Sequence, residues 1–189
     1  MSIVEAQTTM TVEEFLALPD DGVRRELIRG ELREYGMTVR NRYHAATETR
    51  IGWALTSWMF TRPEPRGTVA SGEVGFRLRG TRESVVGIDV AFATPEQVQS
   101  DSEGTLFDGP PLLAVEILSP SDKKKDFTDK LALYLDSGTS VVWEVDPDLQ
   151  VVRVHRRGRE PEMFTLSSEL TCEPELPGFR VPLSLLFLA

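Results

Sequence analysis

Two carboxylates stand where the chain is otherwise apolar. Asp89 lies inside Val-Val-Gly-Ile-Asp-Val-Ala-Phe-Ala (85–93), and Glu116 lies inside Leu-Leu-Ala-Val-Glu-Ile-Leu (112–118). A carboxylate within a buried strand is costly unless a cation or hydrogen-bond donors compensate it. Taken singly, each reads first as a strand-end carboxylate that reaches solvent or an arginine. Two such strands paired in one sheet would bring both to one spot, where a divalent cation removes their repulsion. Ligation by oxygen alone suits Mg2+ or Mn2+. A third residue, Lys130, sits on a helical stretch whose apolar face is Phe127, Leu131 and Tyr134. It flanks that face, so it either snorkels over apolar surface or reaches back toward the carboxylates.

The remaining composition narrows the chemistry. There is one cysteine, Cys172, which excludes an internal disulfide and any site built mainly on thiolates, and which fits a reducing compartment. There are two histidines, His44 and His155, so a three-histidine zinc site within one chain is excluded. Any metal chemistry therefore rests on carboxylates. The sequence contains neither a G-x-S-x-G nucleophile elbow nor a Walker A loop.

These residues have to be positioned by a short list of elements. Thr11 and Glu14 have capping-box spacing before Phe15, Leu16 and Leu18, which predicts a short first helix. Residues 24–35 read as a hairpin around Arg29-Gly30, which sets Leu27 against Leu32, Arg25 against Glu34 and Glu26 against Arg33. Residues 41–60 form the first long helix, with Tyr43, Thr47, Ile51, Ala54, Leu55 and Trp58 at helical spacing. Strands follow at 69–78 and 85–93, joined by a turn, then a polar segment at 95–111 with a short helix near its start. The run 112–118 reads as a strand buried on both faces. Ser121 or Asp122 caps a second long helix that ends near Asp136, with Gly138 beyond it. A buried strand at 141–145, added strands at 151–155 and 163–166, and a tail from 177 that packs on the core complete the chain.

The expected fold is thus an α/β (α+β) mixed sheet carrying helices. Its central order is helix, strand, strand, strand, helix, strand, with an N-terminal helix and hairpin and added C-terminal strands. Length, at 189 residues, suits one domain, 1–189. Net charge is −9, which argues against coating nucleic acid through bulk charge but leaves room for local basic surfaces. Arg24, Arg25, Arg29 and Arg33 form one basic group, Lys123, Lys124 and Lys125 a second, and the arginines at 153–159 a third. No targeting or membrane-spanning segment is visible, so a cytoplasmic location is expected.

Asp89, then Glu116 on the next strand, then a nearby lysine resembles the PD-(D/E)XK nuclease superfamily, whose restriction-endonuclease-like core has this element order. The wording is similar to one branch, the Uma-type restriction endonuclease family. The matching stretches are Thr-Val-Glu-Glu-Phe-Leu-Ala-Leu (11–18), Glu-Leu-Ile-Arg-Gly-Glu (26–31), His44, Ile-Asp-Val-Ala-Phe (88–92) and Val-Glu-Ile-Leu-Ser-Pro-Ser-Asp (115–122). Asp126, Lys130, Tyr134, Gly138, Trp143 and Asp146-Pro147 continue the match. Two residues depart from the superfamily pattern: Ile88 stands where a proline is usual, and Leu118 stands where the lysine is usual. In the resembled family the lysine comes from the following helix, which matches Lys130.

The resemblance implies a Mg2+- or Mn2+-dependent endonuclease that hydrolyses DNA, with Asp89 and Glu116 as metal ligands and Lys130 and Glu26 as further catalytic residues. It draws in Glu31 and His44 as accessory residues. Glu26 reads equally as a cross-strand partner of Arg33, and His44 as a hydrogen-bond neighbour of Glu48 one helical turn on. Lys123, Lys124 and Lys125 are the expected contacts to the nucleic-acid backbone. The family's members commonly pair, so a homodimer is expected. The rival reading is a catalytically silent nucleic-acid-binding or regulatory module on the same fold, which the acidic balance and the displaced lysine favour.

Overall fold

The computed structural model describes residues 9–36, 41–100, 104–119 and 124–188. In chain order the elements are α1 (Val12–Leu16), β1 (Arg24–Ile28), β2 (Glu31–Tyr35), α2 (Arg42–Phe60), β3 (Thr68–Leu78), β4 (Ser84–Ala93) and α3 (Pro95–Ser100). They continue with β5 (Phe107–Asp108), β6 (Leu113–Ile117), α4 (Lys124–Ser137), β7 (Val141–Asp146), β8 (Val151–His155), β9 (Glu162–Phe164), β10 (Glu169–Thr171) and β11 (Arg180–Pro182). Among the described residues no helix is long and apolar enough to cross a membrane.

Local chemistry accounts for the first elements. The Glu14 amide donates to Thr11 Oγ1 at 3.1 Å, and the Thr11 amide donates to Glu14 Oε2 at 2.8 Å, which closes the capping box of α1. Only five residues long, α1 depends on this cap and on buried Val12. Thr11→Ala should therefore cost about 1 kcal/mol. An unchanged urea midpoint in that variant would show that the cap contributes nothing. In the β1–β2 hairpin, Arg29 and Gly30 take φ of 52° and 81°, the paired positive values of a type I′ turn. The register is Leu27–Leu32, Arg25–Glu34 and Glu26–Arg33, as the two-residue loop dictates. The turn's twist overrides arginine's poor preference for that conformation.

One branched sheet carries the molecule. Its main path is β2-β1-β4-β6-β7-β8-β9, with β3 also on β4 and β5 on β3. The step from β6 through α4 to β7 is parallel, as is β3–β5, and the remaining pairs of this sheet are antiparallel. Because β3 occupies one edge of β4 from end to end, β1 and β6 have to share the other edge. β1 meets it at Leu27–Val85, and β6 pairs with it from Phe92–Leu113 to Val90–Val115. Residues 86–89 of β4 lie in the fork between β1 and β6. Opposite them, β3 bulges between Ser71 and Val74, with Gly72 and Glu73 at positive φ. Bulges commonly re-aim side chains beside functional sites.

The two helices cover opposite faces of this sheet. Ile51, Ala54, Leu55 and Met59 of α2 pack with Val90, Val115, Trp143 and the C-terminal residues Phe179, Leu183 and Leu186. Leu133 and Tyr134 of α4 pack with Phe76, Ile88, Ala114 and Val142. Three local expectations are corrected. On α2, Tyr43 is exposed and His44 is buried, because the apolar face is centred one residue further along. On α4, Lys130 does not flank the buried face but lies on it, one turn from Leu133 and Tyr134. The tail does pack on the core, but residues 169–182 also form a separate β10–β11 pair. That pair is pinned by Arg156, which donates to Glu175 at 2.9 Å and to the Glu173 carbonyl at 3.0 Å.

Cys172 is buried against this unit. Burial, with the Glu175 carboxylate beside it, pushes its thiol up to about 12. The thiolate is the reactive form. Labelling by a disulfide reagent at pH 8 should therefore proceed only as the C-terminal unit opens, at a rate that rises with denaturant. Immediate stoichiometric labelling of the folded protein would contradict the burial.

Candidate active site

The fork in the sheet gathers the chemistry. The β4–β6 ladder stops at Val90–Val115, and one further step along the same register sets Asp89 against Glu116. The strands separate there, so backbone groups need other partners. The Ile117 amide donates to Asp89 Oδ2 at 2.8 Å. The Gly87 amide donates to Glu26 Oε1 at 3.1 Å, and the Gly87 carbonyl accepts from Lys130 Nζ at 3.0 Å. Side chains thus finish what the sheet leaves open, and they are Asp89, Glu26 and Lys130.

Lys130 is the centre of this arrangement. It is 5% exposed, and its Nζ lies 2.9 Å from Glu116 Oε1 and 3.1 Å from Glu26 Oε1. The Tyr134 hydroxyl donates to the same Glu116 oxygen, and the Tyr35 hydroxyl donates to Glu26 Oε2 at 2.8 Å. Arg24 approaches Glu26 Oε1 at 3.5 Å, stacks on the Tyr35 ring and pairs with Glu73 at 2.8 Å. Glu26 does face Arg33 in register, but Arg33 turns to Asp129 of α4 at 3.2 Å.

From the α2 side, His44 Nε2 lies 3.3 Å from Asp89 Oδ2, and His44 Nδ1 lies 3.7 Å from Glu48 Oε2. The Asn41 side chain accepts from the His44 amide at 2.9 Å and so fixes the first turn that carries the ring.

The charges are coupled. Burial pushes the Glu116 carboxyl up to about 7, with Asp89 and Glu26 adding to the rise and Lys130 opposing it. Burial works against the charge of Lys130, yet Glu116, Tyr134 and Glu26 hold its pKa well above the ordinary lysine value. Burial also works against the Glu26 carboxylate, but Lys130, Tyr35 and Arg24 hold it below the usual glutamate range. Lys130 therefore remains a cation through the physiological range, whereas Glu116 is held in its charged form only weakly. A divalent cation beside Glu116 would favour its charged form. The donors at hand are carboxylate oxygens and one imidazole, which suit such an ion. Among the described residues His44, Glu48 and Asp89 each offer one ligand atom, and these atoms all lie within 4.8 Å of one another.

The structure brings together Asp89, Glu116, Lys130, Glu26 and His44 of the expected site residues. Glu31 is exposed at the turn end of the hairpin, opposite Ile28, and makes none of these contacts. Of the lysine run, Lys123 lies outside the described residues, while Lys124 and Lys125 open α4 with their side chains outside them. His155 lies on the outer strand β8, with Nε2 2.9 Å from Glu144 Oε2. The two tyrosines had no assigned role in the site. Tyr134 is four residues after Lys130 and Tyr35 is opposite Arg24, spacings that signal shared faces but not shared partners.

The chain matches the model of the family Uma2, described as "Putative restriction endonuclease", over residues 12–185. Among solved structures it is similar to a crystal structure described as a putative nuclease belonging to DUF820 from Anabaena variabilis. The TM-score is 0.78 and the identity 24%, covering 94% of this chain and 97% of that one. That likeness bears on the fold, and it bears out the mixed-sheet arrangement. No curated protein matches the chain.

Proposed function

The chain belongs to the Uma2 family, and on that premise we propose that it is a divalent-cation-dependent phosphodiester hydrolase acting on DNA. The observation that carries this reading is the position of Lys130. The lysine usual two residues after the strand glutamate is replaced by Leu118, yet a helix lysine sets its Nζ 2.9 Å from Glu116.

Asp89 and Glu116 would hold Mg2+ or Mn2+, with the Ile117 carbonyl as a further oxygen. When bound, the ion polarises the phosphodiester and lowers the pKa of an attacking water. Lys130 is kept charged by its surroundings, so its part is electrostatic. It stabilises the negative charge that builds on phosphoryl oxygens, and it does not act as a proton acceptor. Glu26 and the Gly87 carbonyl hold the ammonium in place, and Tyr35 and Tyr134 hold the two glutamates. Fixed donors of this kind need no reorganisation as the reaction proceeds. Lys123, Lys124 and Lys125 belong to this reading as backbone contacts, and two copies acting together would serve both strands of a duplex.

The test is incubation of supercoiled plasmid with the full chain in Mg2+, in Mn2+ and in EDTA. Nicked or linear product is expected with metal alone. Cleavage that survives EDTA would remove the cation from the mechanism. A gel shift without cleavage under any condition would favour a binding module on the same fold.

A further inference from the structure

We infer that His44 and Glu48 complete the cation site around Asp89, and that the imidazole makes this site select Mn2+ over Mg2+. The inference rests on the cation-dependent reading above and goes further in assigning ligands and metal preference. The trio bridges α2 and the sheet at the fork. His44 and Glu48 are one helical turn apart on α2, and Asp89 comes from β4. His44 is 1% exposed and Asp89 4%, while Glu48 is less buried. Their donor atoms all lie within 4.8 Å of one another. Donors about 2.1 Å from an octahedral ion stand roughly 3 Å apart when adjacent and roughly 4.2 Å when opposite. The trio therefore needs only a slight contraction to enclose one ion.

Donor chemistry then decides which ion. Mg2+ is hard and gives up water reluctantly, so it favours oxygen ligands. Imidazole nitrogen suits the later first-row transition ions best, and Mn2+, which takes carboxylates readily, stands at the start of that row and tolerates the nitrogen better than Mg2+ does. A site of two or three carboxylates plus one imidazole is one where Mn2+ gains from the nitrogen and Mg2+ does not. A ring that served only to hydrogen-bond Asp89 would leave the ion's shell all oxygen.

The experiment uses the full chain, Mn2+ alone and no nucleic acid. Pulsed electron paramagnetic resonance of bound Mn2+ should show coupling to a directly ligated nitrogen. The coupling should persist in His155→Gln, which removes the other histidine, and vanish in His44→Gln. Calorimetric titration should show the preference for Mn2+ over Mg2+ falling at least about tenfold in His44→Gln. Glu48→Gln should weaken both ions by roughly tenfold. Bound Mn2+ without nitrogen coupling in the wild type would overturn the inference, as would coupling that is lost with His155. The wild-type and His155→Gln spectra decide the matter even where His44→Gln fails to fold. Nitrogen-ligated Mn2+ in a protein that leaves DNA intact would uphold the site and sink the nuclease reading. Mg2+-dependent cleavage without nitrogen coupling would do the reverse.

Discussion

Lys130→Ala should lower DNA cleavage by at least about two orders of magnitude, the scale of losing one fixed charge-stabilising group. Asp89→Ala and Glu116→Ala should each do the same. Unchanged cleavage in any of the three would remove that residue from the mechanism. Lys130 differs from the other two in what it does to stability. Its ammonium lies between Glu116 and Glu26 with almost no solvent. Removing it leaves those carboxylates without their shared cation, at a cost of about 3–5 kcal/mol by analogy with broken buried ion pairs. Asp89→Ala and Glu116→Ala leave the ammonium its Glu26 partner, so each should cost less, about 1–3 kcal/mol for the Ile117 amide or the Tyr134 hydroxyl left without its acceptor. The combined change Lys130→Met with Glu116→Gln should therefore recover part of the lost stability and none of the activity. Denaturation midpoints read beside cleavage rates separate the two effects. A Lys130→Ala protein as stable as the wild type would mean that the ion pairs described here are not formed.

Divalent metal should raise the melting temperature without any substrate present. The cation binds the assembled fork and not the unfolded chain, so at about a hundredfold excess over its dissociation constant it stabilises by about 2.7 kcal/mol. For a chain of this size that corresponds to roughly 5–10 °C. Asp89→Asn keeps an oxygen that can accept from the Ile117 amide while removing one negative charge. It should leave the metal-free protein as stable as before, or more so, and abolish most of the metal-induced rise. Glu116→Gln should behave likewise, because it removes a carboxyl whose charge burial already disfavours. Thermal melts in EDTA and in Mn2+ check both variants. A wild type with no metal-dependent shift, or variants that keep the shift in full, would mean that the paired-carboxylate site does not exist.

Much of this site is legible in the sequence. Asp89 and Glu116 broke two apolar runs, and only a compensated cluster tolerates that. Loop length alone determined the hairpin register that presents Glu26. Family resemblance together with helical spacing points to Lys130, and its burial goes beyond both. The fork was not legible. Two strands sharing one edge of β4 is a matter of tertiary pairing, and no local pattern around Leu27 or Val115 announces it. For the same reason the partners of the fork's backbone groups could not be foreseen. Tyr35 and Tyr134 read as a strand residue and an apolar helix residue, since a tyrosine's spacing does not tell where its hydroxyl ends. Glu48 read as a surface neighbour of His44, because the approach of Asp89 depends on how α2 lies on the sheet. The β10–β11 pair leaves no such trace, because strands of three residues carry too little alternation to read.

The branched sheet also bears on how copies of this chain can meet. Among the described residues its outer borders are β2, β9, β5 and, where β5 does not reach, residues 68–74 of β3. β2 carries three charged residues, Glu31, Arg33 and Glu34, with Arg33 turned to Asp129 of α4 and Glu34 paired with Arg25. β9 has three residues and β5 has two, too few to template a stable ladder. The short or charged borders at β2, β9 and β5 discourage edge-to-edge joining. The longest unpaired run among these borders is residues 68–74 of β3, so a homodimer that joined its sheets would do so there, and one that packed face against face would leave each copy's sheet, and the fork within it, separate.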